Sequence, residues 1–463
     1  MEKPEFSVSG RHVVVVGAAR SGIAAAELLV RRGARVTLTE SRATFEAAAR
    51  LREHGVQLEL GGHTPETLAG ADLLVVSPGV PLDQAAFDVA RERGVEIIGE
   101  LELAWRWVKG PVIAITGTKG KSTTTTLIGR MLQADGRAVL VGGNIGVPLS
   151  AQVEQSTPDT THVIEASSFQ LETTTTFRPS IALWLNFADD HLDRHPTVEA
   201  YAAAKARVFA NQRAEDWAVL NVDDATVMRH GTTTAARKAY FSAAHRLDDG
   251  FTVDGEWIVR RTATSDVAQP ASVASERLIP IGAVELTGRH MLGNVVAAAA
   301  VASIAGVSAR AMVDALRGFR GLEHVMEPAG EIGGVRFVND SKATNVEAAR
   351  RSIESFDRGV VAVIGGKFKG GNLRELAEPM AARGRAVVAI GEAAPLVREA
   401  LSGVVPVVEA SSMRDAVERG YEAAKPDGVV LLAPACASFD WFRDYAERGQ
   451  VFKAEVERLK RRS

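Results

Sequence analysis

Val112-Ile113-Ala114-Ile115-Thr116-Gly117-Thr118-Lys119-Gly120-Lys121-Ser122-Thr123 is the stretch whose reading decides the fold. A short apolar run ends in a glycine-containing loop with Lys-Ser, and a helix-competent segment follows. Such a loop cradles phosphate: backbone N–H groups and a helix N-terminus face an anion, Lys121 adds a point charge, and the Ser122 hydroxyl can ligate Mg²⁺. Ile115 stands where the full G-x-x-x-x-G-K-[ST] pattern has glycine, so the loop is the shorter G-x-x-G-K-S. An ordinary turn of small residues would look similar, but strand, Lys-Ser and helix come in the order that a nucleoside triphosphate site needs.

The same alternation of apolar run, small-residue turn and Ala-rich helix recurs on both sides, which predicts parallel sheets with crossover helices. Upstream, strands are expected at 12–16, 34–39 and 72–76; downstream, at 333–338, 360–364, 386–390 and 429–433. The expected fold is α/β in three domains, each an open, mostly parallel sheet with flanking helices. Rossmann-like first and last domains, 1–99 and 322–463, would flank a central P-loop ATPase-type domain at 100–321.

Composition agrees. A chain of 463 residues, 46% hydrophobic and 24% charged, is too long for one core. A formal net charge of −3 argues against a nucleic-acid binder. The single cysteine, Cys436, excludes an internal disulfide and fits a reducing compartment. Residues 1–10 are polar and lack a signal pattern, and the longest apolar tract, 295–307, is too short to span a bilayer. A cytoplasmic protein without membrane insertion is expected.

In open α/β sheets ligands gather at the carboxyl ends of strands. In the first opening Gly17 and Gly22 match the outer glycines of G-x-G-x-x-G, but Ala19 replaces the middle one. A tight strand-to-helix turn explains that as well as a dinucleotide does. The helix start at Arg20-Ser21, the acid Glu40 and the cation Arg42 still suit some nucleotide. Glu165 closes a short strand, as a Mg²⁺-organising carboxylate would. The strand in Ala182-Leu183-Trp184-Leu185-Asn186-Phe187-Ala188 runs into Asp189, Asp190, His191, Asp193 and His195, which suit a hard cation or, equally, a solvated loop. Lys205, on a strong helix, reads by itself as an exposed lysine. The last region offers Asn339-Asp340-Ser341-Lys342-Ala343-Thr344-Asn345, the loop with Lys367 and Lys369, and Ser438, which could instead cap a helix. Cys436 reads as packing, and the threonine runs at 123–126 and 173–176 as helix-start and loop residues.

Taken together, the 117–123 loop, Glu165 with Ser167-Ser168-Phe169-Gln170-Leu171-Glu172, Asp190-His191-Leu192-Asp193-Arg194-His195, the 339–345 stretch and Pro434-Ala435-Cys436-Ala437-Ser438 resemble the Mur ligases, closest to their D-glutamate-adding branch. These are ATP-dependent amide-forming enzymes of peptidoglycan synthesis. The resemblance implies that Ser21, Glu40, Arg42, Ser77, Pro78 and Gly79 bind uridine diphosphate, and that Asn144, Ser167, Gln170 and His191 position the muramoyl-alanine part. Gly117, Thr118, Lys119, Gly120, Lys121, Ser122 and Thr123 would hold ATP phosphates. Asn294 would meet the adenine side, and Asp340 and Lys342 the nucleotide. Ser122, Glu165, His191 and Lys205 as its carbamate would hold two Mg²⁺ ions, with Lys121, Glu165, His191 and Lys205 the catalytic set. Thr344, Lys369, Ser438, Phe439 and Tyr445 would hold D-glutamate. A monomer is implied, acting through an acyl phosphate, with the last domain closing over the central one.

Two positions depart from the family pattern. Val325 in His324-Val325-Met326-Glu327 replaces an arginine that would face ATP phosphates, and Met291 after His290 replaces an asparagine. Either another cation, such as Lys367, compensates, or turnover is slower. The rival readings are a sibling ligase adding another amino acid, a nucleotide-binding scaffold with a dead site, and, last, an NAD(P) oxidoreductase resting on 17–22 alone.

Overall fold

The computed structural model describes residues 6–191, 194–264, 272–285, 289–319 and 321–462. Leu192 and Asp193 of the 190–195 stretch lie outside the described residues, as do residues 1–5 and the side chain of His290. Described residues form three sheets.

The first sheet has five parallel strands: His12–Val16, Arg35–Glu40, Gln57–Leu60, Leu73–Val76 and Glu96–Gly99. Their spatial order is third, second, first, fourth, fifth, that of a doubly wound nucleotide fold. Val13 and Val15 enter an apolar cluster with Ala25 and Leu29, whereas Val14 and Val16 enter another with Leu68 and Phe87. Both faces are covered, which is why the strand reads as an unbroken apolar run. Each such valine contributes roughly 1.5–3 kcal/mol.

The second sheet has nine strands. Val112–Thr116 lies between Thr161–Glu165 and Ile181–Trp184, parallel to both. The loops after these three strands therefore open side by side at one sheet edge. Val139–Gly143 flanks one side; Trp217–Asn221, Arg237–Ser242 and Gly250–Asp254 extend the other in parallel. Trp257–Thr264 and Ser272–Pro280 then add antiparallel strands, the first entered through a turn at Asp254-Gly255. The 173–176 threonine run is a loop pinned by Glu102, a fully buried acid that accepts from the backbone N–H of Thr175, Thr176 and Phe177.

The third sheet has six strands, Val335–Asn339, Val429–Leu432, Val360–Gly365, Gly384–Ile390 and Val407–Glu409 being parallel neighbours in that order. Glu327–Ile332 pairs antiparallel at the edge, so Gly333 and Gly334, expected to open a strand, form a hairpin turn at φ +54° and +84°. Val361 and Val363 face one apolar cluster, and Val360, Ala362 and Ile364 the other.

The chain divides into two compact units. The first two sheets share Met1–Ala283 with Asn294–Leu316; the third lies in Val284–Gly293 with Arg317–Ser463. Among the described residues no helix is long and apolar enough to cross a membrane.

Candidate active site

The phosphate loop is built by backbone that only glycine accepts. Gly117 sits at φ +149°, and a Cβ there would come 3.0 Å from Leu185 Cβ. Gly120 caps the helix Lys121–Ala134 in the left-handed region, at φ +80°. A Cβ there would meet Asn294 Oδ1 at 2.3 Å, so Asn294 packs directly on the loop. Asn186, to which the sequence assigned no role, organises the rest. Its Oδ1 accepts from the N–H of Thr118 at 3.2 Å and of Lys119 at 2.9 Å, and its Nδ2 donates to the Lys119 carbonyl at 3.0 Å. Lys121 Nζ donates to the carbonyls of Gly117 and Thr118, at 2.9 and 3.0 Å. Thr123 is buried inside the helix start.

Neighbouring strand ends bring polar groups to this loop. Ser122 Oγ donates to Glu165 Oε2 at 2.7 Å, and Asn144 Nδ2 donates to Glu165 Oε1 at 2.8 Å. His191 stands in the left-handed region at φ +56°, its side chain half exposed. Burial, opposed by Asp190 and aided by Lys121 and Lys119, holds its pKa below the usual imidazole value, which favours the neutral ring that can ligate. Asp190 binds Lys119 at 3.1 Å.

Lys205 differs from the surface lysine that its helix suggested. It is 1% exposed, donates to the Gly117 carbonyl at 2.8 Å, and lies 4.5 Å above the Tyr201 ring. Burial first, and the charge of Lys121 second, push its pKa well down, which favours the neutral, nucleophilic amine. Ser122, Glu165 and a carbamate on Lys205 would supply hard oxygen donors that fit Mg²⁺, with the His191 imidazole as an additional nitrogen donor. Among the described residues no three His, Cys, Asp or Glu side chains converge as a ready-made metal site. That is the usual case for Mg²⁺, which takes few protein ligands and completes its shell with phosphate and water.

In the first domain Ser77 Oγ donates to the Gly17 carbonyl at 2.9 Å, and a Cβ on Gly22 would strike that carbonyl at 1.9 Å. These residues close the turn tightly. Glu40 is committed inside the loop: it accepts from the Ala18 N–H at 2.7 Å, from Ser41, and from both Nε and Nη2 of Arg42 at 3.1 Å. Arg42 chiefly, opposed by burial and aided by the Ala18 N–H, takes its pKa down to about 2. Arg42 itself, Ser21, Pro78 and Gly79 are at least partly exposed beside it. Ser167 and Gln170 form a capping box on the short helix Ser168–Leu171, and Gln170 is 1% exposed.

The third sheet assembles its own cluster at strand ends. Asp340 accepts from the Met326 N–H at 3.2 Å and from the Ser352 hydroxyl, while Lys342 N–H donates to the His324 carbonyl at 3.1 Å. The Lys367 and Ala437 backbones bond reciprocally, at 2.9 and 3.0 Å, which brings the 367–369 loop to the 434–438 stretch. Arg448, 1% exposed and unassigned from the sequence, binds Ser341 Oγ, the Ser341 carbonyl and the Cys436 carbonyl. Burial lowers its pKa only to about 10, so it stays charged. Thr344 is half-buried within the 339–345 turn, and Phe439 and Tyr445 are exposed. No helix begins at Ser438; the following helix, Tyr445–Lys460, is capped by Asp444. Cys436 is fully buried with its thiol pushed up to about 12, which fits packing.

The two departures prove to be one feature. Met291 and Met326 belong to a single apolar cluster, and Val325 packs against it.

Sequence profiles match three consecutive regions: the MurD-like N-terminal domain of Mur ligases at residues 11–99, the Mur ligase middle domain at 115–302, and the Mur ligase glutamate ligase domain at 326–436. A UDP-N-acetylmuramoylalanine–D-glutamate ligase of Acidobacterium capsulatum is 47% identical over 452 residues, covering 97% of this chain and 96% of its own. That of Solibacter usitatus is 42% identical over 98% of this chain and 99% of its own. In fold the chain is similar to the UDP-N-acetylmuramate–alanine ligase of Thermotoga maritima, with TM-score 0.58, 17% identity, and coverage of 98% of this chain and 100% of that one. The MurF ligase of the same organism, solved with ADP, gives 0.57 at 18% identity, covering 98% of this chain and 96% of that one.

Proposed function

The chain belongs to the Mur ligase family, and on that footing we propose that it joins D-glutamate to UDP-N-acetylmuramoyl-L-alanine with ATP, for peptidoglycan precursor synthesis. The observation that carries the assignment is near full-length identity of 40–47% to ligases of that name, together with a phosphate loop whose Ser122 hydroxyl already meets Glu165.

A carboxylate is a poor electrophile, so it must be activated first. The alanyl carboxylate attacks the γ-phosphate of ATP, ADP leaves, and an acyl phosphate forms. The D-glutamate amine then attacks the acyl carbon and phosphate departs. The N–H groups of Thr118 and Lys119, oriented by Asn186, and the helix beginning at Lys121 hold the phosphates, while Lys121 moves from loop carbonyls to the migrating charge. Mg²⁺, when bound, neutralises phosphate charge and aligns the γ-phosphate. Ser122, Glu165, His191 and carbamylated Lys205 would hold it; two ions suit the charge of a triphosphate facing a carboxylate.

Glu40 shapes the first-domain loop so that its N–H groups and Arg42 meet the uridine diphosphate, with Ser21 and the 77–79 turn. Asn144, Ser167 and Gln170 support the muramoyl-alanine part. Asn294 meets the adenine side, Asp340 and Lys342 the nucleotide. Lys369, Thr344, Ser438, Phe439 and Tyr445 take D-glutamate; Arg448 ties the 339–345 turn to the 434–438 stretch, and the Lys367 and Ala437 backbones tie that stretch to the loop bearing Lys369. The protein is a cytoplasmic monomer in this reading. Heavy oxygen placed in the alanyl carboxylate tests it: the label should appear in released phosphate when D-glutamate is supplied. Phosphate without label would contradict the acyl-phosphate route.

A further inference from the structure

His191 carries the imidazole assigned to the cation, yet it is half exposed on a left-handed backbone. What fixes it lies four residues on. Arg194 and His195 both return their N–H to the His191 carbonyl, at 3.0 and 2.9 Å. His195 is 2% exposed and held at both ring nitrogens: Nδ1 is 3.0 Å from Glu172 Oε1, and Nε2 is 3.0 Å from Ser168 Oγ. With Glu172 ionised and the ring neutral, Nδ1–H donates to Glu172 and Nε2 accepts the Ser168 hydroxyl. Ser168 and Glu172 belong to the segment that directly follows Glu165. Phe169, from the same segment, packs edge-on to His191 at 5.0 Å and stacks on His195 at 5.4 Å. His195 therefore ties the turn bearing His191 to the segment bearing Glu165.

Arg194 reaches the other way. Its Nη2 donates to the Val80 carbonyl at 3.0 Å, on the first-domain turn that contains Ser77, Pro78 and Gly79. Its guanidinium also lies 5.7 Å over Phe169. Two adjacent residues thus touch the turn assigned to uridine diphosphate and both segments assigned to the cation.

We propose that His195 is a positioning residue that registers His191 against Glu165, and that Arg194 makes this register respond to the sugar nucleotide at the 77–80 turn. The sugar nucleotide thereby tightens the cation on the nucleotide-loaded protein. This rests on the cation and sugar-nucleotide roles assigned above. The test is Mn²⁺ binding, followed by electron paramagnetic resonance, on the full chain loaded with ADP, with and without UDP-N-acetylmuramoyl-L-alanine. In the parent protein the sugar nucleotide should tighten Mn²⁺ about fivefold or more. Arg194→Met should abolish that coupling while leaving ADP affinity unchanged. His195→Phe, which keeps the stacking and loses both hydrogen bonds, should weaken Mn²⁺ about tenfold. His195→Gln, which can restore one bond, should recover part of the loss; it also serves if the phenylalanine variant does not fold. Unchanged Mn²⁺ affinity in a folded His195 variant, or coupling that survives Arg194→Met, would overturn the proposal. Parent protein that ligates D-glutamate yet shows no coupling would sink this inference alone and leave the ligase reading intact.

Discussion

Lys205 Nζ donates to the carbonyl of Gly117 at 2.8 Å, a buried amine set against the first glycine of the phosphate loop. An uncompensated ammonium there would be costly, and burial together with Lys121 favours the neutral form. A neutral amine can add to carbon dioxide with loss of a proton, and the carbamate would supply an anion for a cation site beside Glu165. Isotope-labelled bicarbonate should therefore give a carbamate resonance in the intact protein that is missing in Lys205→Arg. The same variant should lose nearly all ligase activity while keeping its fold. An active Lys205→Arg enzyme would rule the carbamate out.

Asn186 offers its amide to three backbone groups of the loop. Asn186→Ala removes the side-chain acceptor of the Thr118 and Lys119 N–H groups and the donor to the Lys119 carbonyl, although the Thr118 N–H keeps the Asn186 backbone carbonyl at 3.0 Å, and so lets the loop relax. ATP affinity measured by calorimetry should fall about tenfold, in line with one or two hydrogen bonds of about 1 kcal/mol each. Unchanged affinity would show that the loop holds its shape alone.

The phosphate loop was legible because everything that defines it is local: an apolar strand, glycines at fixed offsets and a helix start. The parallel sheets were legible for a similar reason, since strands such as Val13–Val16 are buried on both faces. Lys205 was not. Its helix, Val198–Ala206, carries alanines around its circumference, so no apolar stripe marks the buried face. Asn186 escaped notice, and His195 was read only as part of an Asp/His cluster, because their partners, Lys119 and Ser168, lie 67 and 27 positions away, beyond any spacing pattern. The resemblance to a family supplied Lys205, and only the folded chain supplied Asn186 and the partners of His195.

Glu40 links the first domain to acid stability. Its folded pKa, about 2, is depressed from an ordinary 4.5, so it stabilises the fold above pH 4.5 and loses that contribution as pH falls toward 2. Glu40→Gln should unfold more easily at neutral pH and show a shallower loss of stability between pH 4.5 and 2. Parallel stability curves for parent and variant over that range would contradict the assignment.

Val325 packs against the apolar cluster that includes Met291 and Met326. Restoring the family residue alone, Val325→Arg, should not restore a lost function but should cost about 1–3 kcal/mol in denaturant unfolding, because a guanidinium would be forced against apolar side chains. A variant that is faster and equally stable would show that the arginine site had remained open.

The most direct measurement is phosphate release by the purified protein with ATP, Mg²⁺ and UDP-N-acetylmuramoyl-L-alanine, with D-glutamate present, omitted, or replaced by L-glutamate or diaminopimelate. Release that requires D-glutamate is the predicted result, and it would show that Val325 and Met291 are compatible with turnover. Nucleotide binding without phosphate release, whichever amino acid is supplied, would contradict the ligase assignment.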